Sequence, residues 1–421
     1  MAKMLSKLSL NSIGSYVKLE SDMSDDVVIK FDGIDDISPS RKVPKRDFKT
    51  KLWKFMKTYR CCFISLSTLI FSLLVILLLF IFLVIPIASY FFPEYVQFIF
   101  FLNFRRLPMV NYDDLYANGI KSIGRAYHIK GEQGQLGLWH VLPHSTSSQL
   151  RSTGVIPTDT EIEELMRTDN KNIILYCHGN SFDRTYYHRT LMYNRMSDMD
   201  YHVVIFDYRG YGDSAGAPTE GGIVKDAKLV YDHIKQVLGS THKDIIVWGH
   251  SMGTGVATKV VSDLSIAKQP PSGLVLESPF NNLQDAFSSH PLSAAIFWMT
   301  PSILEKVIIK PLNSVGLVMT TDERIAKVTC PILILHAQDD ITLPVYLARR
   351  LFNSALAAHR DVDYIEINKS LGFGHRYICN LDGLPTIISS FMNRIRSTSM
   401  TLDSQVPISK DYVLYTKPVV V

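Results

Sequence analysis

Gly249-His250-Ser251-Met252-Gly253 sets a serine between two glycines at Gly-x-Ser-x-Gly spacing. The apolar run Asp244-Ile-Ile-Val-Trp248 precedes it, and the helix-like segment Thr254-Gly-Val-Ala-Thr-Lys-Val-Val261 follows. A turn from strand to helix this tight admits only small residues two positions either side of the serine, and it holds the hydroxyl up as a nucleophile. Glycine and serine are common in turns. The pattern gains its meaning from the strand and helix that flank it and from what lies downstream.

A serine hydroxyl needs a base to take its proton, and the base needs a group to orient it. Behind an elbow of this kind the chain order is serine, acid, histidine. Thr329-Cys-Pro-Ile-Leu-Ile-Leu-His-Ala337 reads as a strand running into Gln338-Asp339-Asp340-Ile-Thr-Leu-Pro344, a turn with two carboxylates of which only one can face the histidine. An alternating strand, Val362-Asp-Tyr-Ile-Glu-Ile367, then leads to Gly372-Phe-Gly-His375, where the glycines suit a loop that bends to present an imidazole. The reaction also needs backbone N–H donors for the oxyanion. Met252, next after the serine, supplies one. Asn172-Ile-Ile-Leu-Tyr-Cys177 reads as an early strand and His178-Gly179-Asn180-Ser181 as its loop, so the Asn180 amide is the second donor, with side-chain identity read as unimportant there.

Each residue has a plainer reading. Ser251 is then a turn serine, His375 one of thirteen histidines, and the Asp339-Asp340 pair a solvated turn. Their order, each at a strand end, is what points to a triad. His178 and His250 are read as shaping their turns, Asp207 as bracing a loop, and Cys177 as core.

Leu175-Tyr-Cys-His-Gly-Asn180, Val203-Val-Ile-Phe-Asp-Tyr-Arg-Gly-Tyr-Gly-Asp-Ser214, Trp248-Gly-His-Ser-Met-Gly-Thr-Gly-Val-Ala257, Leu276-Glu-Ser-Pro-Phe280 and Leu335-His-Ala-Gln-Asp-Asp340 together resemble one family. It is the membrane-anchored α/β-hydrolases of the domain-twelve type, which act as lysophosphatidylserine and monoacylglycerol lipases. The resemblance runs from about Val96 to about Phe391, and Ser289-His-Pro291 adds to it. It implies Ser251 as nucleophile, Asp340 as acid (the position before a short apolar stretch ending in proline) and His375 as base. Two departures stand out. The family more often has a basic residue where Gly374 precedes the histidine, and the segment through Arg60 finds no match. Both bear on head-group preference and not on the catalytic residues. Arg184, His188 and Arg189, just after the oxyanion loop, are candidates to meet an anionic head group, against the plainer reading of solvated surface bases.

The formal charge of the 421 residues is +4, yet the first sixty hold thirteen Lys and Arg against eight Asp and Glu, with nine of the basic residues between Arg41 and Arg60. That cluster abuts a membrane segment and does not belong to the folded domain, so no nucleic-acid partner is implied. Cys61 to Pro93 carries no charge. About twenty apolar residues cross the hydrocarbon core, and the run lies too far from the N-terminus for a signal peptide, so a signal anchor is expected. Positive-inside then places the N-terminus in the cytosol and the domain in the lumen of the endoplasmic reticulum, with the plasma membrane as the other possibility. Tyr90 to Leu107, aromatic-rich and ending in Arg105-Arg106, suits an interfacial segment; the plainer reading is that it packs on the domain.

The organisation expected is a largely disordered basic tail over 1–60, a transmembrane anchor over 61–89, a linker over 90–119, a hydrolase domain over 120–398 and a tail over 399–421. Strand-like runs alternating with helical stretches indicate a mainly parallel sheet with helices on both faces. The expected fold class is thus α/β, the α/β-hydrolase fold, with a cap over about 281–325 and a single transmembrane helix in front. Leu150–Thr168 reads as a surface excursion. Within the cap, Ala294–Met299 and Ile303–Ile309 suit an acyl groove, although a packed cap helix would look the same.

Five cysteines do not form a disulfide framework in a chain this long. Cys61 and Cys62 are palmitoylation candidates, and Asn368-Lys-Ser370 is the one glycosylation sequon. No metal cluster or phosphate loop is visible, and this chemistry needs no cofactor. The expected activity is serine ester hydrolysis of single-chain lipids, lysophosphatidylserine and other lysophospholipids and monoacylglycerols by resemblance. The alternatives are a protein acyl-thioesterase and a non-catalytic anchored scaffold; the first is disfavoured by a luminal domain, and a missing triad member would favour the second.

Overall fold

The structure is a computed structural model that describes residues 17–21, 26–31, 43–58, 60–104, 109–397, 409–419 and 421. The chain divides into two units, Met1–Phe80 and Ile81–Val421. In the first, Val17–Ser21, Asp26–Phe31 and Val43–Pro44 form a three-stranded sheet, with Val17 opposite Phe31 in an antiparallel pair. The sequence reading has no structure there. The β-branched run Val27-Val28-Ile29 carries strand propensity that the surrounding polar composition hides.

Helices follow at Lys45–Thr58 and Arg60–Leu79. Ser67–Phe91 is a helical stretch long and apolar enough to cross a membrane, with none of its most apolar window buried. The call on Arg105-Arg106 and any call on the side chains of Cys61 and Cys62 lie outside the described residues.

The second unit is built on a nine-stranded sheet: β1 Gly124–Gly131, β2 Gly134–Val141, β3 Ile173–Cys177, β4 His202–Phe206, β5 Ile245–His250, β6 Gly273–Glu277, β7 Ile332–Ala337, β8 Val362–Ile367 and β9 Tyr412–Tyr415. Their spatial order is β9-β8-β7-β6-β5-β3-β4-β2-β1. From β4 to β8 neighbours run parallel, while β1, β2 and β9 pair antiparallel at the two ends. Side chains alternate between faces along each strand. Ile173, Leu175 and Cys177 of β3 accordingly join one buried cluster, and Ile174 and Tyr176 join the other. Both faces are covered, as an unbroken apolar run requires.

Three sequence expectations are corrected here. Leu150–Thr168 is no bare excursion: helices span His144–Thr153 and Asp159–Thr168. The second starts on a capping box, in which the Glu161 carboxylate accepts from the Thr158 amide at 2.7 Å and the Thr158 hydroxyl accepts from the Glu161 amide at 3.3 Å. The expected C-terminal tail contributes β9 to the sheet. Inside the cap, Ile296, Met299, Leu304, Ile308 and Ile309 are buried in the core while Phe297, Trp298 and Ile303 are exposed, so the Ala294–Met299 and Ile303–Ile309 runs divide between packing and surface.

Between the membrane-length helix and β1, the helix Pro93–Phe100 lies on the domain. Val96 and Phe100 pack on the core, the Phe100 ring sits 5.9 Å from Phe287 of the cap, and the Gln97 amide donates to the Val315 carbonyl at 3.1 Å. Tyr95 and Phe98 are exposed, as is Ile99, which also borders a cavity with Val96 and Phe100. The plainer reading of this segment therefore holds for Val96, Gln97 and Phe100.

Candidate active site

Ser251 stands at the turn between β5 and the helix Met252–Ile266, with φ 54° and ψ −124°. That positive φ is costly for a residue with a Cβ, and the surrounding structure enforces it. A Cβ on Gly253 would lie 2.0 Å from the Cys177 carbonyl oxygen, and one on Gly249 would lie 2.5 Å from that of Gly253. The elbow's glycines thus answer to backbone that approaches from the next strand and from the helix. The Ser251 amide donates to the Glu277 carbonyl at 3.0 Å, which ties the turn to β6.

His375 comes from the loop after β8, where Gly372 and Gly374 take φ of 68° and 53°. Its Nε2 lies 2.8 Å from Ser251 Oγ and its Nδ1 2.6 Å from Asp340 Oδ2. The loop has two further supports: the Asp339 carboxylate accepts from the Gly374 amide at 2.9 Å, and His250 Nε2 donates to the His375 carbonyl at 2.9 Å. Burial, and then the neighbouring His375, press the basicity of His250 far down, so His250 acts as a neutral brace.

The two aspartates after β7 are thus separated by direction. Asp340 turns inward, its Oδ1 accepting from the Thr342 and Leu343 amides at 2.8 and 2.9 Å, with His336 Nε2 3.2 Å from Oδ2. Burial pushes its carboxyl up, but the charge of His375 and the donors of His336 and His375 outweigh that and hold it well below the usual range.

Asn180, in the loop after β3, and Met252 both face Ser251 across a shared cavity. Neither backbone N–H has an acceptor among the described residues. The Asn180 side chain matters more than the sequence reading allows. Its Nδ2 donates to the Phe100 carbonyl at 2.5 Å, and its Oδ1 accepts from the Ser181 amide and the Tyr211 hydroxyl, each at 2.8 Å. The oxyanion loop is thereby fastened to the end of the Pro93–Phe100 helix. That partner lies eighty residues away, and no local pattern announces it.

Arg184 and Arg189 are buried, with the terminal nitrogens of each guanidinium bonded within the protein. Arg184 binds Asp207 and Asp213, with Nη1 2.5 Å from a carboxylate oxygen of each. Arg189 donates to the carbonyls of Asp183, Gly179 and Ser181 at 2.7 to 2.8 Å and so shapes the oxyanion loop from beneath. Asp207 also accepts from the Arg184 amide at 2.7 Å, with His178 Nε2 3.3 Å away, which makes it the brace of that loop. Both guanidinium groups thus serve mainly to brace the loop. His188 is different: it is buried at 6% exposure, and neither ring nitrogen has a hydrogen-bond partner among the described residues.

Ser251 lies on the wall between two cavities. One, of about 260 Å³, is apolar, lined by Val96, Ile99, Phe100, Phe280, Leu283 and Phe287 among others. The groove-forming part of the cap is therefore the 283–293 stretch. The other, of about 270 Å³, is mixed and more polar than the first, and includes Tyr186, His188, His290, His375 and Arg376. Among the described residues no cluster of His, Cys, Asp and Glu has the arrangement of a metal site. Cys177, Cys330 and Cys379 are free and buried.

Sequence reasoning passes over Glu277. It is fully buried, accepts from the Trp248 indole N–H at 2.9 Å, and burial raises its carboxyl to about 8 despite that bond. The folded protein keeps the proton up to about pH 8, whereas the unfolded chain releases it near 4.5. Stability from this residue is therefore present at acid pH and is lost as pH rises between those values. We expect Glu277→Gln to melt close to the unsubstituted protein at pH 5 and several degrees above it at pH 8.5. A gap that does not widen with pH contradicts the assignment.

Known proteins resemble the chain over most of its length. The family model described as serine aminopeptidase, S33, matches residues 168–317. The lysophosphatidylserine lipase ABHD12 of Danio rerio is 35% identical over 327 residues, covering 76% of this chain and 82% of that protein. The lipase of the same name from Rattus norvegicus is 37% identical over 299 residues, 70% of this chain and 73% of that one. Among solved structures, an alpha-beta hydrolase from Vibrio vulnificus covers 75% of this chain and 94% of its own at a TM-score of 0.50 and 18% identity, a likeness of fold alone. As the motifs imply, the chain belongs to the ABHD12 family and is a serine ester hydrolase of the α/β-hydrolase fold.

Proposed function

We propose that this protein is a membrane-anchored lipase that cleaves the acyl ester of single-chain lipids, lysophosphatidylserine and related lysophospholipids first and monoacylglycerols second. The observation that carries this reading is the position of Ser251 between an apolar cavity and a more polar one. A lysolipid has the same division on either side of its ester. Relatives named lysophosphatidylserine lipases, at 35% to 37% identity, support the substrate class.

In this mechanism Ser251 Oγ attacks the acyl carbonyl while His375 Nε2 takes its proton. Asp340 fixes the imidazole tautomer and offsets its charge. The Asn180 and Met252 amides receive the oxyanion. His375 then protonates the departing glycerol oxygen and activates the water that frees the fatty acid.

The exposed aromatic side of the Pro93–Phe100 helix supports substrate capture at a membrane. Tyr95, Phe98 and Ile99 face outward, and Ile99 also lines the apolar cavity. An acyl chain leaving a bilayer for water loses about 0.8 kcal/mol per methylene. A mouth held against the bilayer lets the chain pass from one apolar medium to another. The basic cluster in front of the membrane-length helix supports a cytosolic N-terminus and a domain in the lumen of the endoplasmic reticulum or outside the cell.

The test is hydrolysis by the full chain of a panel sharing one oleoyl chain: lysophosphatidylserine, lysophosphatidylglycerol, monoacylglycerol and an S-acylated peptide. The proposal expects the lysophospholipids to turn over at least about ten-fold faster, by kcat/KM, than the thioester, whose bulky peptide replaces the small phosphodiester head group. Preference for the thioester would replace the lipase reading with a depalmitoylating one.

A further inference from the structure

The more polar cavity beside Ser251 has features that the triad leaves unused. Arg376 lines it, is exposed, and has no carboxylate partner among the described residues; its guanidinium lies 5.9 Å from the centre of the Tyr186 ring. The neighbouring arginines differ, since Arg184 and Arg189 are consumed by carboxylates and carbonyls. His188, also lining the cavity, is more than nine-tenths buried with both ring nitrogens unpartnered among the described residues. An orphaned buried polar group of this kind calls for a ligand or a solvent molecule to satisfy it.

Burial first, and then the charges of Arg189 and other neighbours including Arg376, hold His188 neutral at physiological pH. It therefore offers one N–H donor and one acceptor and brings no second charge. The two cavities share Leu102, Asn180, Ser251, His290 and Thr342, so a substrate whose carbonyl sits at Ser251 extends into both. The first cavity, with the more apolar lining, suits the acyl chain, and the second, with His188 and Arg376, suits the head group.

We propose that the more polar cavity is a head-group site in which Arg376 binds the phosphodiester of a lysophospholipid and His188 hydrogen-bonds a hydroxyl or ammonium beyond it. This rests on the lipase reading above. A guanidinium suits the role because its planar fork presents paired donors to phosphate oxygens. The site follows the catalytic histidine directly in sequence, so the loop that presents His375 also presents the cation.

The experiment compares Arg376→Gln and Arg376→Lys with the unsubstituted full chain on oleoyl lysophosphatidylserine, oleoyl lysophosphatidylglycerol and monooleoylglycerol. Each is held at low mole fraction in neutral mixed micelles, so that surface charge is constant. Losing a charged hydrogen bond should lower kcat/KM on both phosphodiesters about ten-fold or more relative to monooleoylglycerol, through KM, with lysine restoring part of the loss. Equal losses on all three substrates would show that Arg376 acts only through His375 and would overturn the proposal. So would no loss at all. A loss confined to lysophosphatidylserine would put Arg376 on the serine carboxylate and overturn the phosphodiester assignment. An unsubstituted protein inactive on all three would overturn the lipase reading itself, which is a separate outcome from an active enzyme indifferent to Arg376.

Discussion

Ser251→Ala is expected to reduce ester hydrolysis by on the order of 10⁵-fold or more while leaving the fold intact. The hydroxyl is the one group the elbow presents to both cavities, and His375 Nε2 sits 2.8 Å from it. Alanine keeps the Cβ and so tolerates the φ of 54° no worse than serine does. What remains in the variant is the oxyanion site and lipid binding, which together leave a trace of catalysis over water. A variant that unfolds at the same temperature and turns over lysolipid at an undiminished rate would remove Ser251 from the reaction.

Asp340→Asn should cost about 10⁴-fold in kcat, because an amide favours the wrong imidazole tautomer and cannot offset the charge that forms on His375. Asp339→Asn should cost about ten-fold or less, since the asparagine carbonyl still accepts the one hydrogen bond from the Gly374 amide. The two carboxylates are adjacent, equally charged and on one turn, so the comparison controls for general electrostatics. The pH profile sharpens it. With the Asp340 carboxyl held far below its usual range, the unsubstituted enzyme should show no loss of activity between pH 6 and 4 from this residue. Near-equal losses in the two variants, or the reverse order, would reject the geometry.

Why was the serine and histidine part of this site legible from sequence, and the acid only through resemblance? Ser251 and His375 announce themselves through local requirements: glycines where backbone crowds the elbow, and glycines at positive φ in the loop that presents the imidazole. Asp339 and Asp340 meet no such filter. Only the folded turn shows that the Thr342 and Leu343 amides hold Asp340 inward while Asp339 faces Gly374. The Asn180 side chain, Arg184 and Arg189 were misread for a related reason. Their partners, Phe100, Asp207, Asp213 and the loop carbonyls, come from elsewhere in the chain or from backbone, and an arginine in sequence looks solvated until its acceptors are known.

The central parallel strands were readable because burial on both faces demands continuous apolar runs. The edges were not. Gly124–Gly131 mixes Arg125, His128 and Lys130 with its apolar residues and is only partly buried, and Tyr412–Tyr415 is a four-residue strand. Edge strands tolerate polar side chains because one flank faces solvent. In the cap, hydrophobicity marked the right insertion but the wrong stretch. An apolar run does not say whether it faces the core or a cavity, and here Leu283, Ala286 and Phe287 line the cavity while Ile296, Ile308 and Ile309 fill the core.

A fluorophosphonate forms a stable adduct with an activated serine and with little else in a folded protein, so mapping the adduct by peptide mass reports the nucleophile itself. On the full chain in detergent, one adduct is expected, on the peptide carrying Ser251. It should form in step with loss of lysolipid hydrolysis, be slowed by competing lysophospholipid, and be nearly absent in Asp340→Asn. Complete inhibition with the adduct on any other residue, or hydrolysis that persists once Ser251 is fully modified, would contradict the account.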